Sequence, residues 1–247
     1  MRNIVSLLER RAAKAPSNVK IEMFDFSNRQ EGEIIGTEWI ENPIYLTGDH
    51  EESGVTLPLT ATPTVVWRDG NGVADSYPVW ALHPNAGDQL CFISRSGDDR
   101  RPVRVELIDC RADSPTFGNY KVVETMPDAK RSLPIPPGVG HLLTQMSGVT
   151  TLNSIQLYWD FAADRKVPLP KGFGVLNWDR FGNVAPKMLF PRFAVPVIAQ
   201  ALLLPKMQQQ ARAYTASGNF FPTVRLLPDG SVAVLRKLPV DQTTLAA

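Results

Sequence analysis

The 247-residue sequence predicts an all-β protein, a sandwich or a barrel with added terminal elements. Short apolar runs such as IEMFDF, TPTVVW, QLCFI, PVRVELIDC and YKVVET alternate with clusters of Gly, Pro, Asp and Asn across residues 16–184. Many short strands at regular spacing are typical of a sandwich or a barrel. The 21 prolines fit a loop-rich β fold with protected edges. Residues 16–184 are therefore the predicted core.

The N-terminal residues 1–15 predict a short helix. Ile4, Leu7 and Leu8 fall at helical spacing, and Pro16 lies beyond the end of the pattern. Charged residues interrupt the apolar run, so the segment lacks the continuous apolar core of a signal peptide. We therefore expect a cytoplasmic protein.

Residues 185–247 predict a C-terminal extension that packs on the core or on a partner subunit. The stretch from Phe193 to about Tyr214 is expected to be helical, with a break at Pro205. The following VRLLPDGSVAVLRKL predicts a β-hairpin, because residues 228–230 (PDG) are a turn sequence between two apolar runs.

Charge and cysteine content exclude some classes of function. The net charge of +1 gives no basic excess for nucleic acid, and no apolar run is long enough for a membrane span. Cys91 and Cys110 lie in apolar strand-like runs and are expected to be small buried residues in a reducing compartment. A disulfide between neighbouring strands stays open as an alternative.

Two motifs carry a resemblance to a known family. Ser114–Gly118 reads SPTFG, and residues 135–141 read IPPGVGH. In this order and spacing they resemble the dTDP-4-dehydrorhamnose 3,5-epimerase family, which typically has S-P-T-F-G followed by W-I-P-x-G-x-A-H-G-F. Residues 80–85 (WALHPN) stand where the family has R-G-L-H-x-Q. The resemblance covers roughly residues 75–170.

The resemblance narrows the fold to a double-sheet jelly roll of the cupin type. It implies a homodimer that epimerises a keto sugar nucleotide without a metal or another cofactor. The sequence has only three histidines and no H-x-H pair, so a histidine-rich metal site is not expected. Epimerisation next to a carbonyl needs a base on one face of the substrate, an acid on the other and donors for the enolate oxygen.

The family's site residues are carried over position by position. His83 matches the catalytic base and His141 the second histidine of the family. Tyr158 is the candidate acid, although ungapped counting from His141 places the family's tyrosine near Ser154. A shift of four residues keeps Tyr158 on the same face of a strand. Asp160 is a candidate for the carboxylate that orients the base, as is Asp164, both by proximity in sequence only.

Other positions depart from the family. Trp80 replaces an arginine and Gln89 a lysine, while Asn85 stands at the family's glutamine. These residues are candidates for substrate binding, with Trp80 as a stacking platform. Because cations normally hold phosphates, the loss of Arg and Lys puts the usual substrate in doubt.

Three functions are therefore compared. The first is a divergent epimerase-like isomerase that uses His83 as base. The second is a non-catalytic jelly roll that binds a ligand or partner in a remodelled pocket. The third is a cyclase or isomerase of a biosynthetic pathway that uses only His83 and His141 to move protons. Each candidate also has a purely structural interpretation: His83 as a strand histidine bonded to a backbone carbonyl, His141 as a corner residue and Tyr158 as a core residue.

Overall fold

A computed structural model describes residues 20–42, 44–45, 55–56, 64–68, 79–94, 101–158, 175–202, 209 and 223–235. Within them the predicted all-β class is confirmed. The helix expected within residues 1–15 lies outside the described residues. The strands are β1 (Met23–Asp25), β2 (Gln30–Glu31), β3 (Ile40–Glu41), β4 (Ile44–Tyr45), β5 (Val55–Thr56), β6 (Thr64–Arg68), β7 (Val79–Leu82), β8 (Ala86–Ser94), β9 (Val103–Asp109), β10 (Asn119–Thr125), β11 (Asp128–Ile135), β12 (Val139–Thr144), β13 (Val149–Ser154), β14 (Gln156–Leu157), β15 (Val175–Asp179), β16 (Val184–Pro186), β17 (Thr223–Leu226) and β18 (Val232–Leu235).

Two large sheets form the jelly roll. The larger has eight strands in the order β18-β17-β15-β7-β12-β9-β10-β2. The smaller has six, five of them in the order β3-β11-β8-β13-β6, with β14 also pairing with β8. Two further two-stranded sheets are formed by β1 with β16 and by β4 with β5. This arrangement matches the double-sheet prediction.

The sheets face each other across a hydrophobic layer, here called the inner core. Alternation along each strand sends every second side chain into this layer. From the smaller sheet it receives Leu90 and Phe92 of β8, and from the larger sheet Leu107 of β9 and Leu143 of β12. The remaining members are Ile34, Val103, Val105, Val123, Leu133, Ile135, Val139, Met146 and Val149.

The opposite face of the larger sheet is also covered, by what we call the outer core. Trp80 of β7 stacks on Trp178 of β15, with ring centroids 5.9 Å apart and an interplanar angle of 5°. Phe26 meets Trp80 edge to face at 6.0 Å, and Phe190 belongs to the same cluster. The central strand β12 is thus packed on both faces, whereas β7 is buried on its outer face and half-buried on its inner face.

The C-terminal hairpin is confirmed, and it extends the larger sheet. β17 pairs antiparallel with β18 from Thr223↔Leu235 to Leu226↔Val232. Gly230, in the turn between them, has φ +78° and donates its N–H to the Leu227 carbonyl. β17 also runs parallel to β15, so the hairpin adds two strands at the sheet edge. Of the expected helix, residues 197–202 and residue 209 are described as helical; Pro205 is outside the described residues.

The SPTFG motif builds a turn around a buried carboxylate. Asp109, fully buried at the end of β9, accepts hydrogen bonds from Arg111 at 2.8 and 2.7 Å. The Ser114 and Thr116 hydroxyls donate to the same carboxylate, each at 2.7 Å. Burial alone would raise the pKa of Asp109, but these hydrogen bonds outweigh it and hold the pKa below its usual range. Gly118 closes the turn with φ +80°.

Both cysteines are free and buried, as expected, so they form no disulfide. Burial raises the pKa of Cys91 to about 11 and raises the pKa of Cys110 still further. Neither thiol is a nucleophile at neutral pH. In the part of the chain that the structure describes, no helix has the length and apolarity to span a membrane.

Candidate active site

Two of the sequence-predicted site residues, His83 and His141, lie side by side on the larger sheet. His141 is in β12 opposite Ala81 of β7, and His83 comes directly after β7 ends at Leu82. Because side chains alternate along a strand, Ala81 and His83 point to the same face as His141. The two imidazoles stack with centroids 5.6 Å apart and an interplanar angle of 30°.

A tight corner fixes the backbone around the two histidines. Gly138 precedes β12 with φ +83°, and its N–H donates to the His83 carbonyl at 3.1 Å. A Cβ on Gly138 would lie 2.4 Å from Phe190 Cδ2, so the position has neither the conformation nor the space for a side chain. Gly138, the first glycine of the IPPGVGH motif, thus links the end of β7 to the start of β12.

Asp88 of β8 faces both histidines from the smaller sheet. Its Oδ2 lies 3.4 Å from His83 Nε2 and 3.5 Å from His141 Nε2. Asp88 precedes Leu90 and Phe92 in the inward-facing register of β8, which explains why its carboxylate reaches across the inner core. The Asp88 side chain is 5% exposed, His141 9% and His83 25%. His83 is therefore the member of this cluster that a ligand from solvent reaches.

Asn153 of β13 holds the carboxylate in place. Its Nδ2 donates to Asp88 Oδ1 at 2.9 Å, and its Oδ1 accepts the Gln89 backbone N–H at 3.2 Å. This buried amide binds one carboxylate oxygen and leaves the other, Oδ2, directed at the two imidazoles. The side chains of His83, Asp88, His141 and Asn153 are called the histidine cluster below.

Burial keeps His141 neutral. Loss of solvation lowers the pKa of His141 to about 4; the Asp88 carboxylate opposes this shift and His83 adds to it. The ring Nδ1 lies 3.5 Å from the Val139 carbonyl oxygen, which can only accept a hydrogen bond. In the tautomer that donates to this carbonyl, the proton of neutral His141 is on Nδ1 and the lone pair is on Nε2, toward Asp88; in the other tautomer Nε2 donates to Asp88.

Trp80 and Gln89 are not brought to the histidines. Trp80 belongs to the outer core on the opposite face of β7, where it is 2% exposed, so it does not line a pocket beside His83. Gln89 follows Asp88 in β8, and its side chain therefore points to the other face of the smaller sheet. Because side chains alternate between the two faces of a strand, neither residue reaches the position beside His83 that the motif alignment implies.

Tyr158 also lies across β8 from the carboxylate. A Cβ on Gly87 would be 3.3 Å from Tyr158 Cε2, so the phenol ring packs on the Gly87 face, opposite to the face of Asp88. Burial raises the pKa of Tyr158, and Arg111 partly offsets this. The ring lines a separate cavity of about 280 Å³ together with Arg111, Arg192 and Pro137. Each of these arginines is paired with an aspartate.

Asn85 lies in the short connection between β7 and β8, close in sequence to both His83 and Asp88. The residue is 7% exposed, and its carbonyl oxygen accepts the Tyr158 N–H at 2.9 Å. Its side-chain Oδ1 is buried and has no hydrogen-bond partner among the described residues. A polar atom in this state is available to a ligand.

Sequence reasoning did not find Asp88 and Asn153. The residues proposed instead as the orienting carboxylate, Asp160 and Asp164, lie outside the described residues. A signal for Asp88 was present: in GDQLCFI it occupies the same alternating position as Leu90 and Phe92, where an acidic side chain must face the core. Asn153 gives a weaker signal of the same kind, since it lies on the same buried face of β13 as Val149 and Thr151.

The histidine cluster contains three groups of the kind that bind metals. One ligand atom each from His83, Asp88 and His141 lies within 4.8 Å of the other two. The search of the sequence for an H-x-H pair missed this grouping, because its members are far apart in sequence and come from β8, β12 and the residue after β7. The arrangement is able to hold a proton or a cation between two imidazoles and one carboxylate.

Comparisons with known proteins give structural likenesses only. No family model matches the chain, and no curated protein does. Among solved structures it is similar to the sugar 3,4-ketoisomerase QdtA from Thermoanaerobacterium thermosaccharolyticum (14% identity, TM-score 0.37, 52% of this chain and 85% of that one). It is also similar to the dTDP-6-deoxy-D-glucose-3,5-epimerase RmlC from Legionella pneumophila (18%, 0.37, 61% and 86%). A third is the dTDP-4-dehydrorhamnose 3,5-epimerase from Elizabethkingia anophelis (13%, 0.36, 53% and 75%).

These structures are dTDP-sugar 3,5-epimerases and 3,4-ketoisomerases, the group to which the sequence motifs also point. At these identities and TM-scores the likeness carries no argument about activity. The activity of this chain is therefore inferred from its own residues and their geometry.

Proposed function

We propose that the protein is an isomerase that moves a proton at a carbon next to a carbonyl, with His83 as the base. The substrate class is a keto sugar nucleotide or another carbonyl compound with an acidic neighbouring C–H. The observation that carries this proposal is a quarter-exposed imidazole held 3.4 Å from a buried, anchored carboxylate. Carboxylate and imidazole in this relation are the base and the group that orients it.

In this proposal the two nitrogens of His83 have different roles. Nε2 faces Asp88 Oδ2, so the neutral ring carries its proton there and its lone pair on Nδ1. Nδ1 is then the atom that accepts the substrate proton. When it does, the imidazolium that forms lies beside the Asp88 carboxylate, which stabilises the positive charge.

Neutral His141 supports this chemistry by its charge state. A second imidazolium 5.6 Å from the first would oppose protonation of His83. With a pKa near 4, His141 stays uncharged at neutral pH. One negative charge on Asp88 is therefore matched by one positive charge during turnover.

The position of Tyr158 favours isomerisation over epimerisation. Inversion at carbon needs an acid on the face opposite the base, but the Tyr158 ring packs on the far side of β8 from Asp88. In an exchange of a keto and a neighbouring hydroxyl group, the base takes the C–H proton of the hydroxyl-bearing carbon and the carbonyl oxygen takes a proton, which gives an enediol. The other hydroxyl then loses its proton and becomes the carbonyl, while the base returns its proton to the former carbonyl carbon on the same face. This reaction needs no acid on the opposite face. Of the three functions suggested by the sequence, an isomerase that uses His83 and His141 therefore has the most support.

Solvent deuterium exchange tests the proposal. Metal-free protein is incubated in D₂O with a 4-keto-6-deoxy sugar nucleotide, and loss of the C–H signals next to the carbonyl is followed by NMR. We expect exchange with wild type and a loss of about 10²-fold or more in His83→Gln, the usual effect of removing a general base. The control is His50→Ala, because His50 is the histidine that matches no family motif.

Two results would contradict the proposal. Undiminished exchange in His83→Gln would remove His83 as the base. No exchange with wild type over a panel of keto sugar nucleotides and simpler ketones would instead favour the non-catalytic binding role.

A further inference from the structure

The imidazoles of His83 and His141 meet the Asp88 carboxylate at distances longer than ordinary hydrogen bonds. His83 Nε2 lies 3.4 Å and His141 Nε2 lies 3.5 Å from Asp88 Oδ2. Each imidazole offers one lone pair to a metal ion, and the carboxylate offers another. A cation between these three atoms would bring all of them into a closer and more favourable arrangement.

Two of the three distances between the ligand atoms match the edges of a coordination tetrahedron. With metal–ligand bonds of about 2.1 Å, the ligands of a tetrahedral ion are about 3.4 Å apart, and those of an octahedral ion about 3.0 Å apart. The distances from Asp88 Oδ2 to the two Nε2 atoms are 3.4 and 3.5 Å. Both distances are closer to the tetrahedral spacing than to the octahedral spacing preferred by Mg²⁺.

Two of the three side chains have supporting contacts of the kind found at metal sites. A metal-binding histidine usually directs its other ring nitrogen at a carbonyl or carboxylate, and His141 Nδ1 lies 3.5 Å from the Val139 carbonyl oxygen. A metal-binding carboxylate is usually hydrogen-bonded through its other oxygen, as Asp88 Oδ1 is to Asn153. These contacts are already in place.

We propose that His83 Nε2, His141 Nε2 and Asp88 Oδ2 form a binding site for one divalent transition-metal ion of the zinc class. Three protein ligands leave a fourth tetrahedral position for water or another oxygen ligand, on the side where His83 is exposed. The two imidazoles and one carboxylate select a borderline ion such as Zn²⁺ or Co²⁺ over Mg²⁺ or Ca²⁺.

Metal binding and proton abstraction exclude each other at His83, a consequence that rests on the proposed function. A metal bound to Nε2 moves the ring proton to Nδ1, and Nδ1 then has no lone pair for the substrate. The site would thus be inhibited by zinc and restored by a chelator.

The test is metal binding by the full-length, chelator-treated protein. Zn²⁺ is titrated calorimetrically, and Co²⁺ is titrated by its visible absorption, which reports geometry. We expect one site per chain, with the intense d–d bands of tetrahedral Co²⁺ and no thiolate charge-transfer band, since Cys91 and Cys110 are not ligands. His83→Gln and Asp88→Asn should weaken binding by about 100-fold or more, and Asn153→Ala by about 10- to 100-fold.

Matched variants distinguish binding at the histidine cluster from binding elsewhere on the protein. His50→Ala should bind Zn²⁺ like wild type. Asn42→Ala should do the same, because it removes a buried amide that is hydrogen-bonded to Ala129 and Ser132 of β11 and not to the histidine cluster. The near-UV circular dichroism of each variant shows whether it has folded. His83→Gln changes a quarter-exposed side chain after the end of β7, so it tests the site even if Asp88→Asn fails to fold.

The proposal is overturned if wild type shows no saturable Zn²⁺ binding, or if His83→Gln and His50→Ala bind equally well. Failure of the proposed function gives a different result. Zinc would still bind, but metal-free protein would show no exchange, or zinc-loaded protein would exchange as fast as metal-free protein.

Discussion

Replacing Asn153 by alanine tests whether the buried amide holds Asp88 for the chemistry of His83. The substitution removes a 2.9 Å hydrogen bond to the carboxylate and a 3.2 Å bond from the Gln89 amide. A hydrogen bond to a charged group contributes about 1.5–3 kcal/mol, and a neutral one about 1 kcal/mol. Asn153 is 8% exposed, so solvent does not readily replace either bond. We therefore expect a loss of about 2–4 kcal/mol in the free energy of unfolding.

The assay is urea denaturation followed by tryptophan fluorescence, alongside deuterium exchange on the folded protein. Exchange should fall about 10-fold or more, because Asp88 no longer holds the His83 tautomer. Asn42→Ala is the matched control. Asn42 is buried in contact with the same sheet, donates to the Ala129 carbonyl at 2.8 Å and accepts from Ser132 at 2.7 Å. It should lose stability but keep the wild-type exchange rate.

The reasoning is refuted if Asn153→Ala loses less than about 1 kcal/mol, well below the sum of the two bonds. It is also refuted if Asn153→Ala and Asn42→Ala exchange equally fast when folded. The first result would mean that water replaces the amide. The second would mean that the orientation of Asp88 does not matter to the reaction.

Three further substitutions test other parts of the structure. Tyr158→Phe should keep the wild-type deuterium-exchange rate within about two-fold, well short of the loss from removing a general acid; a large loss would place the phenol in the reaction. Gly140→Ala should destabilise the protein by about 1–3 kcal/mol in urea denaturation, because its Cβ would lie 2.7 Å from Trp178 Cη2 in the outer core; a neutral effect would show that the indole can move. Asp109→Asn should cost about 3 kcal/mol at pH 7 by leaving Arg111 without its charged partner. Because the folded-state pKa of Asp109 is lowered from 3.8, wild type loses this advantage as pH falls below about 4. The urea midpoints of wild type and Asp109→Asn should therefore differ at pH 7 and pH 5 and approach each other at pH 3. A difference between the two midpoints that stays constant from pH 7 to pH 3 would contradict the assignment.

Local sequence patterns were sufficient to predict the all-β class, and the motif resemblance narrowed it to a double-sheet jelly roll. Short apolar runs separated by turn residues predicted a sandwich or a barrel, and PDG between two such runs predicted the hairpin of β17 and β18. Both depend on interactions between neighbours in sequence. The pairing of β17 with β15 was not predicted, since parallel pairing across a long connection leaves no local signal.

The site was predicted only in part, for the same reason. The motifs indicated His83 and His141, and the structure places them together. The side chain between them, Asp88, comes from the opposite sheet, and its position depends on which face of β8 is inward. The prediction placed Trp80 beside His83 because the two are close in sequence. They are three residues apart, an odd separation, so their side chains point to opposite faces of the larger sheet. Alignment by sequence distance does not record this parity.

The coverage of both faces of the larger sheet has a consequence for how the histidine cluster would evolve. β12 is a central strand that is buried on both faces, with Val139 and Leu143 in the inner core and Leu142 in the outer core, and strands in that position open only when the whole domain unfolds. The amide hydrogen of His141 should therefore exchange with solvent far more slowly than amides at the ends of the sheet. His141 thus belongs to a rigid strand, whereas His83 lies in the connection after β7, where its neighbours are free to change. Selection can alter which compound enters by changing those neighbours, while the buried partners of His83 stay in place.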